Sequence, residues 1–248
     1  MLKVSNLHKS YGSIVAVDGI DFEIKSGEIL GFLGPNGAGK TTTIKVCSGM
    51  LIPTQGSVTL CDYDIIKEPT EAKRQLGYVP DDPFLYEKLT GRQFLEFVGE
   101  VYNLSPKQRQ QRIEKMLLDF ELEEKADELI ETYSRGMRRK IALIAGIIHN
   151  PNILLLDEPT LGLDAVSAKK AKDIIKHMAY KENTAVLLTT HIMEIAEQIC
   201  DRIAVISKGK LVAIGTLEEL QQKAKTKATL EEVFVNITQQ EAGKKVGE

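Results

Sequence analysis

The sequence GPNGAGKTT, at residues 34–42, places glycines, a lysine and threonines at the spacing GxxxxGK[ST]. It follows a strand-like run and opens a helical pattern, which is the context that this motif requires. Glycines let successive backbone N–H groups turn towards phosphate oxygens, and the helix N-terminus adds partial positive charge. Lys40 could then reach the β- and γ-phosphates, and the Thr41 hydroxyl could bind Mg²⁺. A merely glycine-rich turn would need neither residue, so we expect a nucleoside triphosphate site. Its contacts are expected from Gly34, Pro35, Asn36, Gly37, Ala38, Gly39, Lys40, Thr41 and Thr42.

Two adjacent carboxylates, Asp157 and Glu158, end the apolar run NILLLDE. Open α/β sheets bind ligands at the carboxyl ends of their strands. Asp157 is suited to hold Mg²⁺ through water, and Glu158 could orient and deprotonate an attacking water. Acidic residues followed by Pro159 also begin helices well, and without the phosphate loop that interpretation would be preferred. Together with the loop, the pair favours hydrolysis over mere binding, and no signature of a kinase acceptor site is found.

The stretch YSRGMRRK, at residues 133–140, carries four cationic side chains. Ser134 is a good N-cap, and the helix that it opens would offer free N–H groups and a positive dipole end to a phosphate. Nucleic acid is the weaker alternative, because the cluster is short, has a single aromatic residue and belongs to an acidic protein. For Arg138, Arg139 and Lys140 we expect a solvated helix face.

The elements that must position these residues alternate between strand-like and helical patterns, which indicates an α/β fold with a largely parallel sheet. The uniformly apolar runs ILLL and AVLL predict central, buried strands. Hairpin-like pairs with polar turns, such as residues 25–27, predict an antiparallel β portion at the N-terminus. Between residues 82 and 150 the pattern is helical, with capping boxes at 90–93 and 105–108. The strand candidates are LKVSNL, IDFEI, EILGFLG, SVTLCDYDI, QLGYVP, NILLLDE, TAVLLTT and RIAVIS.

Charge and composition restrict the class of protein. The formal net charge is −3, so no global positive field attracts a polyanion. Cys47, Cys61 and Cys200 are far apart, as expected for small buried residues in a reducing cytosol. The longest apolar run, residues 141–148, is much shorter than the ~18 residues of a membrane span. The N-terminus lacks the apolar core of a signal peptide, so we expect the chain to stay on the cytosolic side.

GPNGAGKTT, the ILLLDE strand and YSRGM between them resemble the nucleotide-binding subunit of ABC transporters, in order and spacing, over residues 1–237. YSRGM stands where that family has its signature loop, usually LSGGQ. Ser134 and Gly136 match its serine and second glycine, which implies contact with the γ-phosphate held by the other protomer. The other three residues depart from the pattern, as they commonly do in exporter-like branches. The ending TLEEVFVNIT is similar to tails of that branch, or is simply a capped amphipathic helix.

The resemblance implies further site residues. Tyr11, in KSYG, matches the aromatic residue that stacks on adenine, and Asp164, in LGLD, matches the loop that crosses the dimer interface. His191, which ends LLTTH, matches the histidine that contacts the γ-phosphate. The family usually has glutamine after GYVP, but this chain has Asp81, which is shorter and charged. Asp81 could still reach Mg²⁺ through water, although the role of the glutamine does not transfer directly.

The resemblance also implies how the chain is divided. We expect a P-loop NTPase core at residues 1–81 and 150–216, with the antiparallel β portion included. A helical subdomain at 82–149 would carry the signature loop. A helical tail would follow at 217–248.

The function that the resemblance implies is ATP hydrolysis coupled to transport. Two ATP-binding subunits, identical or closely related, would close a two-fold dimer around two ATP with Mg²⁺. This cycle would drive a separate polytopic membrane subunit, in export, from a peripheral position on the inner face of the cell membrane. The apolar loop with Phe84, Leu85 and Tyr86 would dock that subunit, or else pack the helical insertion. No nucleic acid partner is expected.

Two other functions are compatible with parts of the sequence. A soluble ABC-type ATPase acting on nucleic acid, ribosomes or protein complexes is less favoured, because the chain has one compact cassette and is acidic. A non-hydrolysing regulatory module is disfavoured by the intact Lys40, Thr41, Asp157, Glu158 and His191, although Asp81 leaves it some support. The transported substance, its direction and the identity of the second cassette are not encoded in this sequence.

Overall fold

A computed structural model of the chain describes residues 1–224 and 229–244. The N-terminal part of the chain forms an antiparallel sheet. Its strands are β1 (Leu2–Tyr11), β2 (Ile14–Ile24), β4 (Gln55–Leu60) and β5 (Tyr63–Asp64). Their order is β2-β1-β4-β5, and each neighbouring pair is antiparallel. β1 and β2 form a hairpin around Gly12, whose φ of 58° favours glycine. The predicted antiparallel portion is confirmed.

The second sheet carries the strands that end in the sequence motifs. Its strands are β3 (Ile29–Leu33), β6 (Leu76–Val79), β7 (Ile153–Asp157), β8 (Ala185–Thr190), β9 (Arg202–Ser207) and β10 (Lys210–Gly215). The order is β10-β9-β3-β8-β7-β6, and only the β10–β9 pair of the described sheet is antiparallel. β7 and β8 are buried throughout, as ILLL and AVLL predicted, and β3 is buried as well. Because these three strands are parallel neighbours, the residues that follow them meet at one edge of the sheet.

Three details of the sheets differ from the sequence predictions. The candidate SVTLCDYDI is divided into β4 and β5, which pair with each other. The polar turn at residues 25–27 does not close a hairpin, because β2 lies in the antiparallel sheet and β3 in the parallel one. β10 is absent from the strand candidates, although it pairs with β9. It lies at the edge of the sheet and is only partly buried, so its apolar pattern is weaker than that of the central strands.

Helices surround the parallel sheet and form the insertion. Their bounds are α1 (Lys40–Cys47), α2 (Pro69–Arg74), α3 (Gly91–Val101), α4 (Pro106–Asp119), α5 (Arg135–Ile147), α6 (Ala165–Tyr180), α7 (Met193–Ile199), α8 (Leu217–Ala224) and α9 (Leu230–Lys244). None of the helices in the described ranges is both long and apolar enough to cross a lipid bilayer.

The helical insertion begins its helices as the sequence predicted. Thr90 with Gln93 caps α3, and Ser105 with Gln108 caps α4, each as a complete capping box. Apolar side chains of α3, α4 and α5 share one hydrophobic cluster with side chains of β7 and β8. The insertion therefore packs directly on the sheet, and this packing fixes where α5 begins relative to the strand ends.

The C-terminal helices pack on the outer strands of the sheet. Leu230, Val233 and Ile237 of α9 are buried in a cluster with Ile203 and Val205 of β9. This confirms an amphipathic helix at the end of the chain. Residues 225–228 and 245–248 of the expected tail lie outside the described residues, and the division at 81, 149 and 216 stays a prediction.

Candidate functional site

The phosphate loop links the end of β3 to the start of α1. Two of its glycines stand where a larger residue would clash with neighbouring backbone. Gly39 precedes the helix with a φ of 109°, and a Cβ at this position would lie 2.6 Å from the carbonyl oxygen of Ala16. A Cβ at Gly34 would lie 2.4 Å from the carbonyl oxygen of Ile206. Any larger residue would therefore force the loop away from its neighbours, and at Gly39 it would also meet an unfavourable backbone conformation.

Lys40 lies inside this loop. Its side chain is buried, and Nζ donates hydrogen bonds to the carbonyl oxygens of Gly34, at 2.6 Å, and Pro35, at 3.2 Å. Burial lowers the pKa of Lys40, while the carboxylates of Glu158 and Asp157 oppose that change. The amine is thus held in the loop by two carbonyl oxygens, close to both predicted carboxylates.

Asp157 ends β7 and is almost completely buried. Its register partner on β8 is Thr189, whose hydroxyl donates a hydrogen bond to Asp157 Oδ1. A buried carboxylate needs such a partner, and this one fixes the orientation of the side chain. The open side of the strand end faces a cavity of about 210 Å³. The cavity is lined by Ala16, Asn36, Gly37, Gly39, Lys40, Thr41, Thr42, Asp81, Asp157 and Glu158.

Glu158 follows Asp157 in a left-handed backbone conformation, with a φ of 51°. Its Oε1 lies 2.8 Å from Nδ1 of the exposed His191, which comes directly after β8. A carboxylate beside a histidine at the mouth of a phosphate site can orient a water molecule and accept its proton. The sequence predictions for Glu158 and His191 therefore fall on two residues in direct contact.

Ser134 and Gly136 lie at the N-terminus of α5, outside the lining of that cavity. Ser134 is exposed and accepts a hydrogen bond from the backbone N–H of Met137 at 3.3 Å, as expected of an N-cap. A Cβ at Gly136 would have its nearest neighbour at 3.8 Å, the carbonyl oxygen of Gly162. The structure therefore brings the phosphate loop and the carboxylates together in one cavity, whose lining does not include Ser134 or Gly136.

Tyr11 and Asp164 also lie outside the cavity lining. Tyr11 ends β1 with about half of its surface exposed, and Nζ of Lys9 lies 5.3 Å from its ring centroid. Asp164 caps α6, accepting hydrogen bonds from the Ser167 hydroxyl at 2.6 Å and the Ser167 N–H at 2.9 Å. These hydrogen bonds lower the pKa of Asp164.

Arg139 corrects the prediction of a solvated helix face. Its side chain is only 5% exposed, and the guanidinium lies between the loop after β6 and the end of β7. Asp81 lines the nucleotide cavity, and its Oδ1 lies 3.7 Å from Nη2 of Arg139. Arg138 and Lys140 are partly exposed, as that prediction requires. The reason is position on α5: Arg139 shares its face with the buried Leu143 and Gly146, which lie four and seven residues further along the helix.

The ABC transporter family model matches residues 17–161, more than half of the chain. This chain belongs to the ABC transporter family. The linearmycin resistance ATP-binding protein LnrL of Bacillus subtilis (strain 168) is 40% identical over 220 residues, which make up 89% of this chain and 70% of that protein.

Solved structures agree with this membership. One, an ATP-binding subunit of an ABC transporter, has a TM-score of 0.92 and 30% identity, covering 96% of this chain and 99% of the other. A dimeric ATP-binding cassette in a post-hydrolysis state, with ADP and Pi bound, has a TM-score of 0.81 and 27% identity, covering 88% and 99%. This ABC transporter subunit is therefore an ATP-binding and ATP-hydrolysing protein with the P-loop NTPase fold.

Sequence reasoning missed two residues of the ABC transporter subunit that touch the site. Thr189, which holds Asp157, belongs to TAVLLTT, but the register between β7 and β8 is needed to pair them. Arg139 was assigned to the surface, although its spacing from Leu143 and Gly146 could have placed it on the buried face.

Proposed function

We propose that this subunit binds MgATP between two cassettes and powers the export of a compound through a separate membrane protein. The proposal is carried by one observation: within a single chain, the residues at the start of α5 do not line the cavity that contains the phosphate loop and the carboxylates. Lys40, Asp157 and Glu158 surround the cavity, whereas Ser134 and Gly136 cap an exposed helix end outside it. A second cassette would supply the missing helix end to the γ-phosphate, since a helix N-terminus favours anions. The dimeric form of the structurally similar cassette supports this arrangement.

Within this site each residue would have a distinct role. Lys40 and the N–H groups of residues 34–42 would hold the phosphates. Glu158 would orient and deprotonate the attacking water, with His191 holding the carboxylate and contacting the γ-phosphate. Tyr11 would stack on the adenine and Asp164 would face the partner cassette.

Mg²⁺ fits the residues that line the cavity. In the described part of the chain, no three His, Cys, Asp or Glu side chains could hold a metal by themselves. Mg²⁺ typically takes only one or two carboxylates and completes its shell with water and substrate phosphates. The Thr41 hydroxyl and Asp157 would hold it, with Asp81 contributing through water. When bound, the ion would neutralise charge on the phosphates during hydrolysis.

A membrane protein would be the partner that receives the energy of this cycle. Phe84 is fully exposed and Tyr86 is 58% exposed, whereas Leu85 packs partly against the insertion. Tyr86 also packs edge-on against the exposed Phe97, and neighbouring exposed apolar side chains of this kind mark surfaces for protein–protein interaction. The similarity to a linearmycin resistance protein supports export, and a position on the inner face of the membrane follows from that partner.

The membrane partner is tested by co-purification in mild detergent. The tagged chain should retain a polytopic membrane protein in stoichiometric amount, and Phe84→Asp should lose it because a charge replaces the exposed apolar contact. Ile52→Asp is the matched control, since Ile52 is also exposed, at 69%, but lies in a different region. ATP hydrolysis by both isolated variants should stay unchanged.

Retention of the membrane protein by Phe84→Asp would contradict this docking surface. Recovery of ribosomal proteins or nucleic acid in place of a membrane protein would contradict the transport proposal.

A further inference from the structure

Arg139 is a buried arginine that joins three parts of the site. It lies in the second turn of α5, the helix that Ser134 caps. Nη1 donates hydrogen bonds to the carbonyl oxygens of Pro80, at 3.0 Å, and of Asp81. Nη2 donates to the carbonyl oxygens of Asp157, at 2.8 Å, and of Glu158. One guanidinium therefore connects the signature helix, the loop after β6 and the strand end that carries both carboxylates.

The charge of Arg139 is unusual for its position. The side chain is 5% exposed, and its charge interacts with the carboxylates of Asp81, Asp157 and Glu158. Burial of a cation is costly, and it is tolerated where hydrogen bonds and opposite charges surround the group. The planar, forked guanidinium can hold two pairs of carbonyls at once, which an ammonium group cannot.

Stability alone does not explain this arrangement. Nε of Arg139 is buried and has no hydrogen-bond partner among the described residues. A buried donor without a partner costs free energy, and such groups in native structures call for a reason. Here the orientation that leaves Nε unpaired is the one that aims both Nη groups at the two loops.

The preceding residue provides a contrast. Arg138 is only partly buried, and its Nη1 forms an ion pair with the exposed Glu87 at 2.7 Å. Exposed ion pairs contribute little to stability. Arg138 and Arg139 are thus adjacent residues of equal charge on the same helix. Of the two, only Arg139 contacts the backbone at the end of β7.

We propose that Arg139 is a positioning residue for ATP hydrolysis. Its guanidinium holds the peptide of Glu158 and the loop at Asp81 in a fixed relation to the start of α5. When a nucleotide is bound between the cavity and the helix end of a partner cassette, this link keeps Glu158 aligned with the γ-phosphate. The inference rests on the proposed function, because it takes Glu158 and the α5 end as parts of one shared site.

The test compares Arg139→Lys and Arg139→Gln with Arg138→Gln as the matched control. Steady-state ATP hydrolysis gives kcat and KM, and calorimetry gives the Kd for ATP. We expect Arg139→Gln to lower kcat about 100-fold, the scale that a misplacement of about 1 Å costs. The Kd for ATP should change less than about threefold, because the phosphate loop is untouched and only alignment in the transition state is lost. The kcat of Arg139→Lys should lie between those of wild type and Arg139→Gln. The kcat of Arg138→Gln should stay within about twofold of wild type.

Two outcomes would overturn the inference. One is a folded Arg139→Lys variant with the wild-type kcat. The other is a loss of ATP affinity in parallel with kcat, which is the behaviour of a residue that only supports the fold. If Arg139→Gln does not fold, the kcat and the Kd for ATP of Arg139→Lys, compared with those of Arg138→Gln, decide whether Arg139 is a positioning residue. Failure of the proposed shared site is distinguishable, because it would appear as an absence of nucleotide-dependent dimers in chains that retain Arg139.

Discussion

Glu158 combines two features that bear on hydrolysis. Its positive φ is uncommon for a residue with a side chain and costs free energy, so the surrounding structure must hold it. Its backbone N–H donates to the carbonyl oxygen of Thr189 at 3.1 Å, and its carboxylate contacts His191. The end of β8 and the histidine that follows it thus hold both the backbone and the side chain of Glu158, the proposed catalytic residue.

His149, far from any predicted role, gives a pH-dependent prediction. Its Nε2 lies 3.1 Å from the carbonyl oxygen of Leu76, so this nitrogen carries the proton, and its ring stacks on Tyr102 at 3.5 Å. Burial lowers the pKa of His149 from 6.5 to about 4. Between these values the unfolded chain binds more protons than the folded chain. The free energy of unfolding should therefore fall as pH is lowered from about 6.5 towards 4, by on the order of 2 kcal/mol from this residue.

Urea unfolding of wild type and His149→Gln between pH 7 and pH 4.5 checks this. Glutamine can still donate to the Leu76 carbonyl but does not titrate, so the difference in free energy of unfolding should shift in favour of the variant as pH falls. Asn152→Gln, which exchanges one neutral amide for another at an exposed position, is the matched control and should show a flat difference. A difference for His149→Gln that is equally flat would contradict a buried neutral imidazole.

At the scale of elements, Ser105 and Ser134 allow capping to be separated from nucleotide contact. Both cap helices of the insertion, α4 and α5, by accepting a hydrogen bond from the backbone N–H three residues on. Replacing either with alanine should lower the free energy of unfolding by about 1 kcal/mol. Only Ser134→Ala should also reduce ATP hydrolysis, because Ser134 is at the helix end that is proposed to meet the γ-phosphate. Equal hydrolysis by the two variants, measured at the same fraction folded, would exclude that contact.

The elements that could be predicted from the sequence are those with local signals. Neighbouring residues alone predict the phosphate loop, the strand that ends in Asp157 and the N-cap of α5. The structure brings the loop and the strand end into one cavity. The pairing of Asp157 with Thr189 depends on strand register, which no local pattern encodes. The same holds for the turn at residues 25–27, which is locally a good hairpin turn but connects two different sheets.

Arg139 shows a different limit. Charge suggested a solvated position, whereas the period of the helix placed the residue on the buried face with Leu143. What decides between these signals is the set of carbonyl oxygens after β6 and β7, and these come from segments about 60 and 20 residues away in the chain. Long-range acceptors of this kind are visible only in the folded structure.

At the scale of the whole molecule, the two halves of the proposed site lie on one chain but do not meet. The insertion packs on the parallel sheet through a common hydrophobic cluster, so the start of α5 is held by the same core that holds β7. Under the proposed function, folding of one chain would leave the shared site incomplete, and a second cassette would complete it. Hydrolysis would remove the γ-phosphate that both sides contact, which would reopen the dimer.

The most direct test of this account is the oligomeric state of Glu158→Gln in saturating MgATP, measured by sedimentation velocity. The variant should bind ATP, hydrolyse it poorly and accumulate as a dimer, because the γ-phosphate remains between the cassettes. Adding Lys40→Ala to the variant should return it to the monomer, since the phosphate loop would lose its cation. A Glu158→Gln chain that stays monomeric while bound to MgATP would contradict the shared site.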